Sequence, residues 1–154
     1  MDAAIELGRL LSERGWTIGC AESCTGGLLT SRLTDVAGSS DYVKGGVISY
    51  ATAVKLDLLK VKPSTVEQFT VVSDQVALEM ADGVRRLLGT DVGLSTTGYA
   101  GPSGDEIGLV CVGFSTEDRR VAQRFRFNGS RIEIKSSAAN AALEFAIDLL
   151  KQNS

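Results

Sequence analysis

Three stretches of this chain could do chemistry together, and the first is Ala21-Glu22-Ser23-Cys24-Thr25-Gly26-Gly27. It follows the short apolar run Trp16-Thr17-Ile18-Gly19-Cys20 and precedes a helical pattern over Leu28 to Val36. A hydroxyl and a glycine pair therefore sit where a strand turns into a helix. The N–H groups of a first helical turn lack intrahelical partners and can bind an anion or an oxyanion. Glycine has no Cβ, so a substrate can come close to the backbone. Ser23 thus combines a nucleophile with electrophilic donors, the two parts of an acyl-transfer site. The same turn also reads as a plain helix start, with Ser23 or Thr25 as an N-cap and nothing more.

The second stretch, Tyr50-Ala51-Thr52-Ala53-Val54-Lys55, puts a phenol at a strand end and an ammonium about one helical turn later. A lysine near its ordinary pKa of about 10.4 is a poor base at neutral pH, but burial lowers that value. Lys55 could then take the Ser23 proton, and Tyr50 could relay it or donate to a leaving nitrogen. The alternative is a solvated helix lysine beside a core-edge aromatic. The third stretch is Gly98-Tyr99-Ala100-Gly101-Pro102-Ser103-Gly104. All three follow predicted strands, and in open α/β sheets the ligand crevice lies at the carboxyl ends of the strands. If the three strands are parallel, the turns share one rim. Arg131, after Asn128-Gly129-Ser130, opens a helix where an arginine suits phosphate, or is a surface or subunit-contact arginine.

Composition narrows the chemistry. The chain has 154 residues and no histidine. A Ser-His-Asp triad, a Cys-His pair and an imidazole zinc site are therefore all impossible. Its three cysteines, Cys20, Cys24 and Cys111, lack zinc or C-x-x-C spacing and read as reduced thiols. No metal site is expected. With 44% hydrophobic residues, residues 1–154 fit one domain with one sizeable core. The net charge of −3 comes with scattered lysines and arginines, so nucleic acid is not expected as a partner. Apolar runs fall well short of the about 18 residues a membrane span needs. The segment Met1-Asp2-Ala3-Ala4-Ile5-Glu6 is acidic and amphipathic, unlike a signal peptide, which favours the cytoplasm.

The elements that must hold these stretches follow from periodicity. A helix is predicted over 3–14, with Ala4, Leu7, Leu10 and Leu11 on one face and Gly15 as a stop. Strand Thr17–Ala21, helix Gly27–Asp35, a loop over 37–40 and strand Val43–Tyr50 come next. A short helix covers Thr52 to Leu59, and Ser64-Thr65-Val66-Glu67 reads as a capping box opening one turn. The clearest helix spans Asp74 to Leu88, with Val76, Ala77, Met80, Ala81, Val84, Leu87 and Leu88 on its apolar face. Strand Val92–Thr97 and a hairpin of Ile107–Ser115 with Arg120–Phe127 complete the sheet. The mixed apolar and cationic second arm suits an edge. A second capping box, Ser130-Arg131-Ile132-Glu133, opens a last helix to Lys151, with Ile132, Ala139, Ala142, Leu143, Ala146 and Leu150 inward. The economical fold is a three-layer α/β/α sandwich with a mixed, mostly parallel sheet.

These residues carry a resemblance. Ala21–Gly27, Gly38-Ser39-Ser40, Gly45-Gly46-Val47-Ile48-Ser49-Tyr50, Lys55, Val72-Ser73, Met80–Gly83, Thr97–Pro102 and Gly129-Ser130-Arg131 occur in the order found in the CinA C-terminal domain family. That family includes stand-alone nicotinamide-nucleotide amidases. The resemblance implies an α/β/α fold and hydrolysis of the carboxamide of nicotinamide mononucleotide to nicotinic acid mononucleotide and ammonia. It implies Ser23 as nucleophile, with Lys55 and Tyr50 as its catalytic partners. No cofactor is implied. The partners implied are a small nucleotide substrate and further copies of the chain in a homo-oligomer. Substrate contacts are expected from Cys24, Thr25, Gly26, Gly27, Ser39, Gly98, Tyr99, Ala100, Gly101 and Arg131.

Two departures stand out. The family's Tyr-Ser-Asn-x-x-Lys is Tyr50-Ala51-Thr52-Ala53-Val54-Lys55 here. The family's Gly-Ile-Ala-Gly-Pro-x-Gly-Gly-(Thr/Ser)-x-x-Lys-Pro-Val-Gly is shortened to Gly98–Gly108, with Tyr99 in place of the aliphatic residue. The shorter loop is expected to leave the pocket more open. It also keeps a second reading in play, a paralogue that binds a nucleotide-like ligand with weakened or no hydrolysis.

Overall fold

The computed structural model describes residues 2–152. Met1, part of the N-terminal segment read above, lies outside them, as do Asn153 and Ser154. The first helix, α1 (Ala3–Arg14), starts where the Asp2 carboxylate accepts from Ala4 N at 2.8 Å and stops at Gly15, φ 65°. The strand β1 (Ile18–Glu22), the helix α2 (Leu28–Thr34) and a 3-10 turn over Ser39–Asp41 lead to β2 (Val43–Ile48). Three helices follow, α3 (Thr52–Asp57), α4 (Pro63–Phe69) and α5 (Asp74–Leu88), then the strands β3 (Val92–Gly98), β4 (Leu109–Ser115) and β5 (Arg120–Arg126). The chain closes with α6 (Arg131–Gln152).

The sheet order is β2-β1-β3-β4-β5. The β1–β2 and β1–β3 pairs are parallel, whereas β3–β4 and β4–β5 are antiparallel. Only β4 therefore runs against the rest. The expected mixed, mostly parallel sheet forms, and β5 is an edge as its mixed sequence suggested. On one face α1, α2 and α6 bury Leu7, Leu11, Leu29, Leu33 and Leu143 with Phe114 of β4. On the other, Val76, Met80 and Val84 of α5 pack with Ala21, Leu59 and Val61. Among the described residues no helix is long and apolar enough to cross a membrane.

The α5 helix lies unusually close to the sheet because β3 and β4 offer glycines beneath it. A Cβ on Gly93 would stand 2.0 Å from the Ala81 carbonyl oxygen, and one on Gly113 would stand 2.3 Å from that of Ala77. Ser95 Oγ, on the same face as Gly93, donates to Ala77 O at 2.6 Å.

Four sequence expectations need correction. Ile132 is 79% exposed rather than inward. Two positions turn a helix by about 200°, so the buried Ile134 takes the inward place. Leu87 is 46% exposed, and Leu88 instead reaches the sheet, against Gly19 and Gly45. The capping box at 64–67 does not form. The helix starts at Pro63, whose missing N–H suits a first turn, and Lys62 N and Thr65 Oγ1 donate to Glu79 of α5 at 2.8 and 2.7 Å. The loop over 37–40 is partly the 3-10 turn. By contrast the second capping box closes both ways: Glu133 N donates to Ser130 Oγ at 3.2 Å, and Ser130 N to Glu133 Oε1 at 2.9 Å.

Gly93→Ala should destabilise the protein by about 1–3 kcal/mol, because backbone faces the new methyl and neither element can yield without moving the other. Urea denaturation measures this, and an unchanged midpoint would contradict the close α5–sheet packing.

Candidate active site

Side chains alternate along a strand, and at the end of β1 that alternation separates two functions. Cys20 packs on the α1–α2–α6 side and Ala21 on the α5 side. Glu22 accordingly turns under α2, and Ser23 turns toward α3 and α5. Ser23 N still donates to Thr96 O at 3.0 Å, so the nucleophile candidate is held beside β3. The turn then closes through Gly26 N to Ser23 O at 3.1 Å, with Gly26 at φ 59° and Gly27 at φ 105°, angles that glycine adopts without strain.

The Glu22 side chain was overlooked in the sequence, and it governs the turn. It is 1% exposed. Oε1 accepts from Thr25 Oγ1 at 2.6 Å, Gly27 N at 3.1 Å and Leu29 N at 2.9 Å. Oε2 accepts from Thr30 N at 2.9 Å and Thr30 Oγ1 at 2.6 Å. The first-turn N–H groups of α2, expected to be open for an anion, are thus taken by a carboxylate of the chain itself. Neither Ser23 nor Thr25 caps the helix. A carboxylate placed between an apolar run and a Ser-Cys-Thr turn was the signal available for this.

Lys55 reaches Ser23 from the other face. Ser49 follows β2, and its N–H and hydroxyl donate to Glu22 O at 2.7 and 3.2 Å. Lys55 lies one turn into α3 and is 1% exposed. Its Nζ donates to Ser49 O at 2.6 Å and to Tyr50 O at 3.3 Å, and stands 2.9 Å from Ser23 Oγ. Burial lowers its pKa from the ordinary 10.5, opposed by the neighbouring Cys24. A neutral amine has two N–H groups and one lone pair. In that form, with the two carbonyls taking the N–H groups, the lone pair would face the Ser23 hydroxyl.

Tyr50 divides its roles between backbone and side chain. Its carbonyl meets Lys55, while its ring is 62% exposed and its hydroxyl accepts from Arg131 Nη2 at 2.9 Å. Arg131 Nη1 also donates to Gly101 O at 2.5 Å, so this arginine joins two turns across the rim. Cys24 lies beside Ser23, but burial pushes its thiol up to about 12, which keeps it protonated and leaves the hydroxyl as the better-placed nucleophile.

These groups line a cavity of about 240 Å³ with Thr52, Val71, Val72, Thr97, Gly98, Tyr99, Ala100, Gly101 and Ser103. The three turns do share one rim. Val71 comes from a position without a motif, and Val72 and Thr97, though within segments that carry the resemblance, were not expected as substrate contacts. Several expected contacts lie elsewhere. Thr25 is 1% exposed beneath the turn, bonded to Glu22 and, at 2.8 Å, to Thr96 Oγ1. Gly26 and Gly27 open onto a separate groove with Ile132 and Lys135. Ser39 precedes β2, so it sits at the end of the sheet opposite to Ser23. A larger groove of about 800 Å³ between α1, α2 and α6 contains none of the residues just described. Among the described residues no cluster of three or more Cys, Asp or Glu could hold a metal ion.

Glu22→Gln should lower stability by about 1–3 kcal/mol, since an amide offers one acceptor oxygen where five donors converge. The unfolding free energy reads this out, and a change within error would show that the network is dispensable.

Comparison with known proteins identifies the family. The family model for the CinA C-terminal domain matches residues 2–150. The chain is 42% identical to the nicotinamide-nucleotide amidohydrolase PncC of Enterobacter agglomerans over 151 residues, covering 95% of this chain and 92% of that protein. It is 46% identical over 155 residues to a CinA-like protein of Chlorobium limicola, covering 95% of this chain and 36% of that protein. The chain therefore spans just over a third of the length of relatives of that kind. A crystal structure of a CinA superfamily protein from Klebsiella pneumoniae superposes with a TM-score of 0.94 at 30% identity, covering 97% of this chain and 96% of that one. With the motifs, the fold and these matches in agreement, the chain belongs to the CinA C-terminal domain family.

Proposed function

We propose that the chain is an amidohydrolase that removes ammonia from the carboxamide of nicotinamide mononucleotide by Ser–Lys chemistry. The observation that carries this is the Lys55 Nζ to Ser23 Oγ distance of 2.9 Å, with the carbonyls of Ser49 and Tyr50 as the other acceptors around Nζ. The 42% identity to PncC over nearly its whole length supports the substrate class. Ser23 Oγ attacks the carboxamide carbon while its proton passes to Lys55. The N–H groups of Cys24 and Thr25, which Glu22 does not take, stand next to Ser23 in the turn and serve the oxyanion. The C–N bond then breaks, and the nitrogen leaves as ammonia with the proton from Lys55, aided by the Tyr50 hydroxyl at the rim. The resulting ester is cleaved by water, which gives its proton to Lys55, and the carboxylate product and free Ser23 return.

The shortened loop after Gly98, together with Thr52 at the cavity wall, favours a second reading, a paralogue that binds the nucleotide and hydrolyses it slowly or not at all. Ammonia release from nicotinamide mononucleotide by the purified protein separates the two. Under the proposed function Ser23→Ala lowers kcat by several orders of magnitude with the fold intact. Retention of more than about a tenth of the rate would exclude Ser23 as nucleophile. Binding without ammonia release would favour the second reading.

The base must be unprotonated, and burial lowers the pKa of Lys55, so kcat/KM should rise with pH and level off below the ordinary lysine value of 10.5. Lys55→Arg should abolish the activity, because a guanidinium stays protonated throughout. A profile that is flat across this range would mean that Lys55 is not the titrating base.

A further inference from the structure

The charges lining the cavity do not suit the ring that the proposed substrate brings in. An N-ribosylated nicotinamide carries a fixed positive charge on its ring. Among the described residues that line the cavity, Arg131 carries a guanidinium and none carries a carboxylate, so nothing there offsets a positive ring. Three carbonyls at the site are already engaged. Those of Ser49 and Tyr50 accept from Lys55, and that of Gly101 accepts from Arg131. The negative face of an aromatic ring is a surface that suits a flat cation.

Two tyrosines line the cavity, and they differ. The Tyr50 hydroxyl already accepts from the Arg131 guanidinium, so a cation sits at that ring's edge. Tyr99 has no such neighbour, as no hydrogen bond holds its hydroxyl among the described residues. Its backbone is fixed where the β3–β4 ladder ends: Tyr99 N donates to Leu109 O at 2.9 Å, and Gly108 N donates to Tyr99 O at 2.7 Å. The ring is 37% exposed, partly packed and partly open to the cavity. Val71 and Val72 add apolar wall to the same cavity, suited to the rest of a flat ring. A rigid backbone with a half-open aromatic ring is how a fold presents a stacking surface without ordering a loop.

Resting on the function proposed above, we propose that Tyr99 seats the cationic ring of an N-substituted pyridinium carboxamide against its face. The site thereby selects the charged pyridinium nucleotide over neutral carboxamides of the same shape. Tyr99 is a specificity-determining residue here, separate from the Ser23–Lys55 pair that performs the chemistry. Its loss should weaken binding of the cation and leave binding of a neutral isostere largely unchanged.

The test compares dissociation constants, measured by calorimetry, for nicotinamide mononucleotide and the C-linked benzamide ribotide, which has the same outline and no ring charge. The Ser23→Ala protein is used so that neither ligand is consumed. A cation–π contact at a partly desolvated site predicts about tenfold tighter binding of the cation. Adding Tyr99→Leu should bring the ratio to about one, whereas Tyr99→Phe, which keeps the ring, should preserve it. A melting curve for each variant guards against misfolding. Equal affinities for the two ligands, a ratio that survives Tyr99→Leu, or binding of neither ligand would overturn the proposal. Its failure is distinguishable from failure of the hydrolysis reading. Discrimination without ammonia release by the Ser23 protein upholds Tyr99 and removes hydrolysis. Ammonia release with no discrimination does the reverse.

Discussion

A primary amine with almost no access to solvent must be satisfied from within, and Lys55 is 1% exposed. Kept as an ammonium, it would carry a desolvation penalty of several kcal/mol that a nearby carboxylate would have to offset, and among the described residues none contacts it. Kept neutral at pH 7, an ordinary lysine gives up about 4–5 kcal/mol in proton affinity. The fold lessens this by supplying the carbonyls of Ser49 and Tyr50 as acceptors. Those acceptors exist only because Ser49 is clamped to the Glu22 carbonyl through its N–H and its hydroxyl. The ends of β1 and β2 are thereby locked together, and Lys55 Nζ is held toward Ser23 by the same contacts that make its burial tolerable. If either carbonyl moved, the amine would lose an acceptor and its orientation at once.

Glu22 links this arrangement to the other side of the sheet. Its backbone carbonyl serves Ser49, and its side chain serves the start of α2. A helix start with a buried carboxylate already in place is poorly suited to a second anion, since like charges at that distance repel. In the proposed reaction the developing oxyanion is better placed on the Ser23 side, where the pleat has turned away from Glu22. The alternation of one strand thus puts the Glu22 side chain and the proposed oxyanion on opposite faces.

Much of this was legible because local rules and tertiary structure agree. The strand–turn–helix around Ser23, the amphipathic helix over Asp74–Leu88 and the reciprocal cap at Ser130 and Glu133 each need only neighbouring residues. The shared rim followed from three parallel strands. The misses are positions where distant groups decide. Glu79, seventeen residues from Lys62, replaced Glu67 as the partner of α4. Ile132 fits an apolar pattern by type, yet the first turn of α6 is tied to the rim through Arg131 and turns Ile132 outward. Ser39 was misjudged for a different reason. A loop that enters a parallel strand lies at the rim opposite to the loop that leaves its neighbour, so topology alone excludes Ser39 from the Ser23 cavity.

The lack of histidine makes charge development in this cavity unlike that of an imidazole site. In the proposed reaction the Ser23 hydroxyl and Lys55 in its neutral form carry no charge at the start. Proton transfer with attack creates an ammonium and an oxyanion together, in a place of low dielectric where their attraction is strong. The ammonium is then fully provided for, because Ser49 O, Tyr50 O and Ser23 Oγ match its three N–H groups. The contacts that orient the neutral amine are therefore stronger once it is protonated, since charge-assisted hydrogen bonds exceed neutral ones. Interactions that strengthen on the way to the tetrahedral intermediate lower the barrier, whereas interactions equally strong at the start would not. In the proposed reaction the two backbone carbonyls beside Lys55 thus contribute to catalysis as well as to burial.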